Sequence, residues 1–477
     1  MWRPLLGCEP SENPMQPKGT PFMSTTTDLT ATPATELLRA LRVREISSRE
    51  LLEQYLARIE QANPALNAVV TLDVEGARAA AAAADEATVR GHDVGALHGL
   101  PITVKDSFET AGLRTTAGAP ELADYIPARD ADAVARLRAA GAVVFGKTNL
   151  PTFAMDWQTY NPVFGTTNNP WDATRTPGGS SGGAAAAIAA GLTGLELGSD
   201  IRGSLRQPAH NTGVFTLKPS YGIVPVRGHI PGPPGTLSAP DLAVAGPIAR
   251  SADDLDLALD VLAGPDAAMA MAWRLRLPAA RGRSLRDYRI AAWLDDTFAP
   301  VDSAVLGVLT TAVDAIRRAG ARVDDTARPV QLGQASDVFE KLFAAAVSPG
   351  AADWNLTNEH RQQLRAQWMQ FFRSFDVILT PVSPVAAIRH DHSGDPDTRT
   401  ITVNGEQRPY IEQSTWTGLA GGVYLPAAVV PVGSTRDGLP VGLQIIAPFL
   451  EDRTAIDVAR HIEHLLGGCQ QPPPAAH

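Results

Sequence analysis

Short apolar runs alternate with helix-forming segments along almost the whole chain, and this alternation limits the folds open to it. The runs "PITV", "AVVF", "DVILT" and "PAAVVPVG" are rich in β-branched residues and indicate buried strands. The segments between them have the period of amphipathic helices. Because no internal repeat or long low-complexity linker separates these elements, the pattern predicts one α/β domain whose central sheet is covered by helices on both faces.

A helix after Ser47 carries the clearest local signals. Ser47 and Glu50 have the spacing of a capping box, and the apolar residues that follow recur on one helical face. Pro64 is expected to help end this helix.

Composition excludes several classes of protein. The formal net charge of −10 argues against a nucleic-acid-binding surface, which needs clustered lysine and arginine. Two cysteines, Cys8 and Cys469, form no disulfide framework and fit a reducing compartment. No apolar run approaches the roughly 18 residues needed to span a membrane. We therefore expect a cytoplasmic protein that binds neither nucleic acid nor membrane.

The expected domain boundaries follow local composition. Residues 1–30 are rich in proline, serine and threonine and are predicted to be a disordered extension, within which Met15 or Met23 is an alternative start to Met1. Residues 31–467 are predicted to form the folded domain, and residues 468–477 a flexible tail.

A glycine-rich segment, residues 177–209, contains four serines but no histidine to activate them: Ser180, Ser181, Ser199 and Ser204. Most serine hydrolases use a histidine as the base. His210 follows the segment directly but has no acidic neighbour in sequence. Either the base lies elsewhere in the chain, or the segment is only a structural turn.

Two motif matches are misleading. "GAVVFGKT" (residues 141–148) has the spacing of a phosphate-binding loop, but a helix precedes it and its loop positions read as an apolar strand. "GGSSG" fits a nucleophile elbow at Ser180, which would need partners such as Asp241 and His390. The elbow also needs a preceding strand, whereas "NNPWDATRTP" reads as a loop.

Three segments together resemble the amidase signature family: "GLPITVKDSF", "PGGSSGGAAAAIAAG" and "GSDIRGSLRQPA". Their spacing also fits, since Lys105 precedes Ser180 by 75 residues and Ser204 follows Ser180 by 24. Further segments such as "TLKPSYGIVP" and "LPVGLQIIAP" extend the resemblance to roughly residues 35–465. It implies a single catalytic domain with a central mixed, twisted sheet.

The resemblance also implies catalytic roles. Ser204 would be the nucleophile that forms an acyl-enzyme, Ser180, after a cis Gly179–Ser180 bond, would relay protons, and Lys105 would be the base. The oxyanion would be bound by backbone N–H groups of four residues: Ile201, Arg202, Gly203 and Ser204. No metal or cofactor is expected. Ser181 and Ser199 are interpreted as turn and helix-cap serines.

Lys105 must lose its proton near neutral pH to serve as a base. A free lysine has a pKa of about 10.4, and burial lowers it. Lys105 follows the apolar "LPITV", which is expected to be buried. Asp106 and Asp200 would oppose this shift if they lie close.

Two positions depart from the family pattern. Arg202 stands where glycine is common, and it either binds a substrate group or points into solvent. Thr152 stands where the family often has glutamate, and its role is interpreted as structural.

The substrate pocket is expected to contain aromatic residues beside a polar amide, although core packing is the alternative for any single aromatic residue. The predicted pocket residues are Trp157, Tyr160, Trp171, Gln413 and Trp416, with Trp354 and Tyr410 as further aromatic candidates. The proline- and glycine-rich segment 227–240 is a candidate lid. The pairs His390/His392 and His461/His464 are assigned to a loop and a terminal helix rather than to a metal site.

The sequence therefore predicts a monomeric or homodimeric hydrolase of small-molecule amides or carbamates (urethanes), with a weak likeness to bacterial amidases that include urethanases. One alternative is the amidase component of a tRNA-dependent amidotransferase, which would need partner chains. Another is a non-catalytic binding protein on the same fold, against which the intact Lys105, Ser180 and Ser204 argue.

Overall fold

A computed structural model describes residues 28–92, 95–230, 233–347 and 354–473. The predictions for the first 27 residues, including the alternative starts and Cys8, and for the last four residues of the tail lie outside these ranges. Residues 468–473 of the tail have no regular secondary structure.

Fifteen strands occur in the described ranges. They are β1 (Val69–Leu72), β2 (Pro101–Lys105), β3 (Val143–Thr148), β4 (Tyr160–Asn161), β5 (Gly165–Thr166), β6 (Glu196–Asp200), β7 (Phe215–Lys218), β8 (Val244–Ala249), β9 (Arg289–Ala292), β10 (Arg322–Asp324), β11 (Val377–Pro381), β12 (Thr400–Val403), β13 (Glu406–Pro409), β14 (Ala427–Ser434) and β15 (Pro440–Ile446).

Twelve α-helices occur in the same ranges. They are α1 (Ala34–Arg42), α2 (Ser48–Leu66), α3 (Val74–Val89), α4 (Asp132–Ala139), α5 (Gly182–Ala189), α6 (Arg206–Thr212), α7 (Ala252–Leu262), α8 (Ser303–Arg318), α9 (Leu332–Val347), α10 (Trp354–Phe371), α11 (Thr415–Gly421) and α12 (Asp452–Leu466).

Eleven strands form one mixed sheet in the order β1-β3-β2-β6-β8-β7-β14-β15-β11-β9-β10. The neighbours β3, β2 and β6 run parallel, as do β11, β9 and β10, and the other pairs are antiparallel. Every residue of β2, β3, β6 and β8 is buried, so both faces of the sheet are covered there. The prediction of an α/β fold with a central mixed sheet is confirmed.

Local signals position the helices much as the sequence indicates. Ser47 and Glu50 form the capping box at the start of α2. The helix does not end at Pro64 but continues to Leu66 and stops at Asn67, whose φ is 52°. Pro64 lacks an N–H donor and crowds the preceding turn, and the helix ends two residues after it.

Candidate active site

Lys105 is the last residue of β2, between the neighbouring strands β3 and β6. Its side chain is fully buried. The Nζ atom lies 2.7 Å from Ser180 Oγ, 3.0 Å from Ser181 Oγ and 3.0 Å from Ser199 Oγ. The amine therefore contacts three serine hydroxyls at the centre of the molecule, and within the described ranges none of its hydrogen bonds goes to Ser204.

The turn before α5 presents two of these hydroxyls. The Gly179–Ser180 peptide bond is cis, as the family resemblance implies. Gly179 packs so closely on the backbone of residues 156–158 that a Cβ atom would lie 2.5 Å from the carbonyl oxygen of Asp156, which is why glycine is needed there. The Ser181 N–H donates to the Ser204 carbonyl oxygen at 3.1 Å, and this bond joins the two serine-bearing turns.

The turn that carries Ser204 is held by a buried ion pair. Asp200, at the end of β6, accepts hydrogen bonds from the backbone N–H groups of Gly203 (2.7 Å) and Leu205 (3.0 Å). Its carboxylate also pairs with the Arg206 guanidinium at 2.8 Å, and both side chains are fully buried. Gly203 has a φ of 97°, and a Cβ there would lie 2.8 Å from Thr417 Oγ1.

One of the four predicted oxyanion donors already has a partner in this structure. The Gly203 N–H is directed at the Asp200 carboxylate, so it is already used to fix the turn. The N–H groups of Ile201, Arg202 and Ser204 have no acceptor among the backbone and side-chain hydrogen bonds of the described residues. These three N–H groups remain available to donate to a substrate oxygen beside Ser204.

Burial lowers the pKa of Lys105 to about 7, although the carboxylates of Asp200 and Glu196 oppose the shift. Asp106, which would oppose the shift if it lay close, directs its carboxylate to the Thr116 N–H and hydroxyl instead. The amine of Lys105 is therefore substantially neutral at physiological pH and able to accept a proton.

The interpretation of Ser199 as a helix-cap serine is wrong, and Ser181, which does lie in a turn, has a further contact. Ser181 stands before α5, but its hydroxyl makes no helix-capping bond and contacts Lys105. Ser199 lies inside β6, so it caps no helix, and its hydroxyl also faces Lys105. Sequence spacing does not show which hydroxyls of a serine-rich segment converge on one amine.

His229 is a site residue that the sequence analysis missed. Its Nε2 lies 2.8 Å from Ser199 Oγ, and its ring packs on Phe108 with centroids 4.6 Å apart. Burial, and then the nearby Lys105, lower the pKa of His229 well below its usual range, so the imidazole is neutral. The only sequence signal was a histidine inside the candidate lid.

A cavity of about 470 Å³ opens beside the serines. Its wall combines Ser180, Ser199, Ser204 and His229 with apolar side chains from distant segments. The described wall residues are Phe153, Ala154, Met155, Asp156, Trp157, Ser180, Ser199, Ile201, Arg202, Ser204, His229, Glu340, Phe343, Ala344, Val347, Asp395, Pro396, Asp397 and Ile411. Glu340, Phe343, Ala344 and Val347 are spaced as one face of α9. The volume suits a small organic ligand.

Of the five predicted pocket residues, only Trp157 lines this cavity. Trp416 is fully buried and packs against Trp293 with centroids 5.6 Å apart, so it belongs to the core. Trp171 donates its indole N–H to the Thr212 carbonyl oxygen outside the cavity. These residues cover apolar core or satisfy backbone groups, which aromatic composition alone does not distinguish from ligand binding.

Gln413 and Tyr160 also lie behind the cavity wall. The Gln413 side-chain oxygen accepts a hydrogen bond from Gln207 at 2.7 Å, and both amides are buried. Tyr160 stacks on His392 at 3.8 Å and bonds to Asp156. The further aromatic candidates Tyr410, which is buried, and Trp354, which is partly exposed, are likewise absent from the described cavity wall.

Arg202 neither points into solvent nor presents an unpaired charge. Its guanidinium lies between Trp157 and Phe343, 5.0 and 4.5 Å from the ring centroids. It forms an ion pair with Glu340 and donates from Nε to Ser414 Oγ at 3.1 Å. The ion pair with Glu340 compensates the charge of Arg202, which is part of the cavity wall.

The first residues of the candidate lid are packed on the chain that follows Lys105. Ile230 N–H donates to the Ser107 carbonyl oxygen at 2.7 Å, and Glu109 N–H donates to the Gly228 carbonyl oxygen at 2.9 Å. Pro231 and Gly232 lie outside the described ranges, and residues 233–240 are largely exposed. Only the exposed part remains a candidate lid.

The alternative motifs find no supporting geometry. The "AVVF" run is strand β3, and Lys147 is buried with its amine bonded to Thr110 and Thr115 hydroxyls. Asp241 pairs with Arg361 rather than with His390. In the described ranges, no group of three or more histidine, cysteine, aspartate or glutamate side chains is placed to hold a metal ion, and no helix is long and apolar enough to cross a membrane.

Known proteins are similar to this chain along most of its length. A family model described as Amidase matches residues 50–351 and 349–456. A glutamyl-tRNA(Gln) amidotransferase chain from Synechococcus sp. is 34% identical, over 89% of this chain and 94% of that protein. Indoleacetamide hydrolase from Bradyrhizobium diazoefficiens is 33% identical, over 91% of this chain and 86% of that protein.

Solved structures show the same relationship. The chain superposes on a bacterial aryl acylamidase of the amidase signature family with a TM-score of 0.78 and 27% identity, over 92% of this chain and 97% of that one. With the family model matching most of the sequence, and with Lys105 bonded to a serine of the cavity wall, the chain belongs to the amidase signature family of amide-hydrolysing enzymes.

Proposed function

We propose that this chain hydrolyses neutral amide and carbamate bonds that carry an aromatic group, with Ser204 as nucleophile, Ser180 as proton relay and Lys105 as base. The observation that carries the proposal is the 2.7 Å contact between Lys105 Nζ and Ser180 Oγ beside a cavity that Ser180 and Ser204 both line.

Each proton has a defined path in this mechanism. As Ser204 Oγ attacks the carbonyl carbon, its proton passes to Ser180 and the Ser180 proton passes to the neutral Lys105 amine. When the C–N bond breaks, the same path returns a proton to the leaving nitrogen. The amine departs, the acyl group stays on Ser204, and water then releases it as the acid or, from a carbamate, as carbon dioxide and alcohol.

Backbone N–H groups of Ile201, Arg202 and Ser204 would stabilise the charge that develops on the carbonyl oxygen. The Asp200–Arg206 pair fixes this turn before substrate binds, so little reorganisation is needed during the reaction. Asp200 is therefore a positioning residue in the proposal.

The cavity wall supports an aromatic substrate group. Phe153, Trp157, Phe343 and Ile411 supply apolar surface, and the Arg202 guanidinium lies over two of the rings. Such a wall favours planar, apolar groups. The aryl acylamidase and indoleacetamide hydrolase names of similar proteins point to the same substrate class.

A substrate panel tests the proposed class. We expect kcat/KM for an anilide and for an aryl carbamate to exceed that for an aliphatic amide by roughly tenfold, since aromatic pairs and apolar burial together contribute about 1–2 kcal/mol. Phe343→Ala should reduce this preference, whereas Phe298→Ala, an exposed phenylalanine outside the cavity, should preserve it. An aliphatic amide that ranks first would overturn the substrate assignment.

Covalent labelling tests the nucleophile separately from the substrate. A fluorophosphonate should modify wild-type protein on the Ser204 peptide, and Ser204→Ala should abolish labelling because it removes the only hydroxyl that forms the acyl bond. Ser180→Ala should slow labelling while leaving Ser204 as its target. Label found on Ser180 in the Ser204→Ala variant would contradict the assignment.

A second candidate is the amidase component of an amidotransferase, favoured by the relative from Synechococcus sp.. That activity would use glutamine, whose α-carboxylate needs a cationic partner when it leaves water. Arg202 is the only lysine or arginine in the described cavity wall, and it is paired with Glu340. The wall contains three further carboxylates: Asp156, Asp395 and Asp397.

Charge selectivity separates the two candidates. A carboxylate-substituted anilide should be turned over roughly tenfold less efficiently than its methyl-substituted counterpart, because the cavity carries excess negative charge. Ammonia release from glutamine by the purified chain should be weaker than anilide hydrolysis. Glutamine as the better substrate would favour the amidotransferase assignment.

A further inference from the structure

The hydroxyl of Ser199 has two nitrogen neighbours but a single proton. Lys105 Nζ lies 3.0 Å from Ser199 Oγ on one side, and His229 Nε2 lies 2.8 Å from it on the other. The proton can be shared with only one of them at a time. Whether Lys105 or His229 accepts the Ser199 proton determines whether the lysine lone pair is free to accept a proton from Ser180.

The neutral lysine amine has two protons and one lone pair for its three hydroxyl neighbours. Ser181 Oγ donates its own proton to the Ser199 carbonyl oxygen at 3.2 Å, so Ser181 can accept one N–H of the amine. If Ser199 accepts the second N–H, the lone pair is left for Ser180. That is the orientation in which Ser180 donates its proton to Lys105.

We infer that His229 is a positioning residue that orients the base: with its proton on Nδ1, its Nε2 accepts the Ser199 proton and thereby directs the Lys105 lone pair toward Ser180. This inference rests on the proposed role of Lys105 as base. With the opposite tautomer, Nε2 would donate to Ser199, and the Ser199 proton would compete with Ser180 for the lysine lone pair.

Backbone hydrogen bonds and ring packing hold His229 in place. Residues 228–230 are held on the segment after Lys105 by the backbone bonds from Ile230 to Ser107 and from Glu109 to Gly228. The imidazole also packs on Phe108. The charged group that acts on His229 is Lys105, and those that act on Lys105 are Asp200 and Glu196 of β6. An imidazolium beside Lys105 is disfavoured, so His229 can act as an acceptor.

Two substitutions distinguish the effect of the His229 hydrogen-bond acceptor from the effect of its aromatic ring. His229→Phe keeps an aromatic ring against Phe108 but removes the acceptor, whereas His229→Gln offers an amide oxygen to Ser199. We expect His229→Phe to lower the plateau kcat roughly tenfold, the value of one misdirected hydrogen bond, with little change in KM. His229→Gln should recover most of that loss.

The pH dependence of kcat distinguishes a misoriented lysine from a site that has become more open to water. In His229→Phe the Ser199 hydroxyl donates its proton to the lysine lone pair and stabilises the neutral amine. The pKa of Lys105 should therefore fall, so that the acid limb of the profile moves to lower pH while the plateau kcat decreases. A loop that merely opened would admit water, stabilise the ammonium and move the limb to higher pH. That second result would overturn the inference.

Epistasis tests whether His229 acts through Ser199. The double variant His229→Phe/Ser199→Ala should be no slower than Ser199→Ala alone, because the hydroxyl through which His229 acts is gone. Arg227→Ala serves as the loop control, since Arg227 is exposed, pairs with Asp132 and touches none of the serines. It should retain wild-type rates and pH profile. Fully additive losses in the double variant would contradict the inference.

Nitrogen NMR tests the tautomer without an activity measurement. In protein labelled with ¹⁵N-histidine, the signals lost in His229→Phe should include one imine-type Nε2 and one protonated Nδ1 at neutral pH. A protonated Nε2 would overturn the inference, as would a His229→Phe variant with wild-type kcat and pH profile. Neither result would affect the proposed function, which is tested separately by the substrate panel, by labelling of Ser204 and by the loss of activity in Lys105→Ala.

Discussion

Lys105 has to be neutral to act, and its burial makes it so. Because the pKa of Lys105 is lowered to about 7, chiefly by burial, we expect kcat/KM to rise with pH up to about 7 and to level off above it. The sign follows from the role, since the protonated amine cannot accept the Ser180 proton. A pH–rate profile of an anilide measures this, and a rise that continues toward pH 10 would indicate an unburied lysine.

Removing the same amine should harm amides more than esters. Lys105→Ala is expected to lower kcat/KM for an anilide by about 10²- to 10⁴-fold, because both proton transfers through Ser180 are lost. A matched phenyl ester should lose less, since phenoxide leaves without prior protonation. Lys147→Ala is not a useful control, because Lys147 is buried in its own hydrogen bonds, and Lys341, exposed on α9, serves instead. Equal losses for ester and amide would remove the relay from the mechanism.

Among the elements, the exposed part of the 227–240 loop is expected to affect which substrates enter. Deleting Pro233 and Pro234 should change KM and the ranking of bulky aryl carbamates against small amides. Labelling of Ser204 by a small fluorophosphonate should survive, because residues 228–230 stay bonded to the segment after Lys105. Loss of small-probe labelling in a variant with native circular dichroism would show that the exposed part also supports the catalytic residues.

Helix α5 tolerates little change in size. Its eight residues are buried glycines, alanines and one isoleucine, and the helix packs against α6 and strands β2, β6 and β8. Ala186→Leu should therefore reduce the free energy of unfolding by about 1–3 kcal/mol through overpacking. Ala83→Leu on the exposed side of α3 makes the same chemical change and should stay within about 0.5 kcal/mol of wild type in urea denaturation. Equal effects of the two substitutions would contradict the packing argument.

For the molecule as a whole, the proposed chemistry uses protein atoms for nucleophile, base and oxyanion donors. Dialysis against EDTA is therefore expected to leave the anilide hydrolysis rate unchanged. The control is the same protein carried through dialysis without chelator. A rate that falls with EDTA and returns with zinc would show that a metal takes part.

Strands and helices were predictable where local chemistry determines them. β2, β11 and β14 were visible as β-branched apolar runs, and the cap of α2 as a serine with a glutamate three residues on. The order of strands in the sheet was not visible, since it pairs β7 with β14 and β6 with β8 across long stretches of chain. Register between distant strands depends on tertiary packing that one sequence does not display.

The residues of the site that belong to sequence motifs could be predicted, and the others could not. Lys105, Ser180 and Ser204 follow from segments that resemble a known family, but their neighbours Ser199 and His229 do not. His229 reaches the site from a loop 124 residues beyond Lys105, through contacts that no periodic pattern encodes. Aromatic composition was a weak guide to the cavity because Trp416 and Trp171 fill other spaces.

The arrangement of α9 has a consequence for how such an enzyme diversifies. Four cavity positions lie on one face of a single helix, far along the chain from the lysine and the serines. Mutations at Glu340, Phe343, Ala344 and Val347 can therefore explore new specificities while the catalytic centre is inherited intact. A combinatorial library confined to these four positions would vary a large part of the cavity wall at once. A lineage could therefore acquire a new substrate through a few substitutions in one helix.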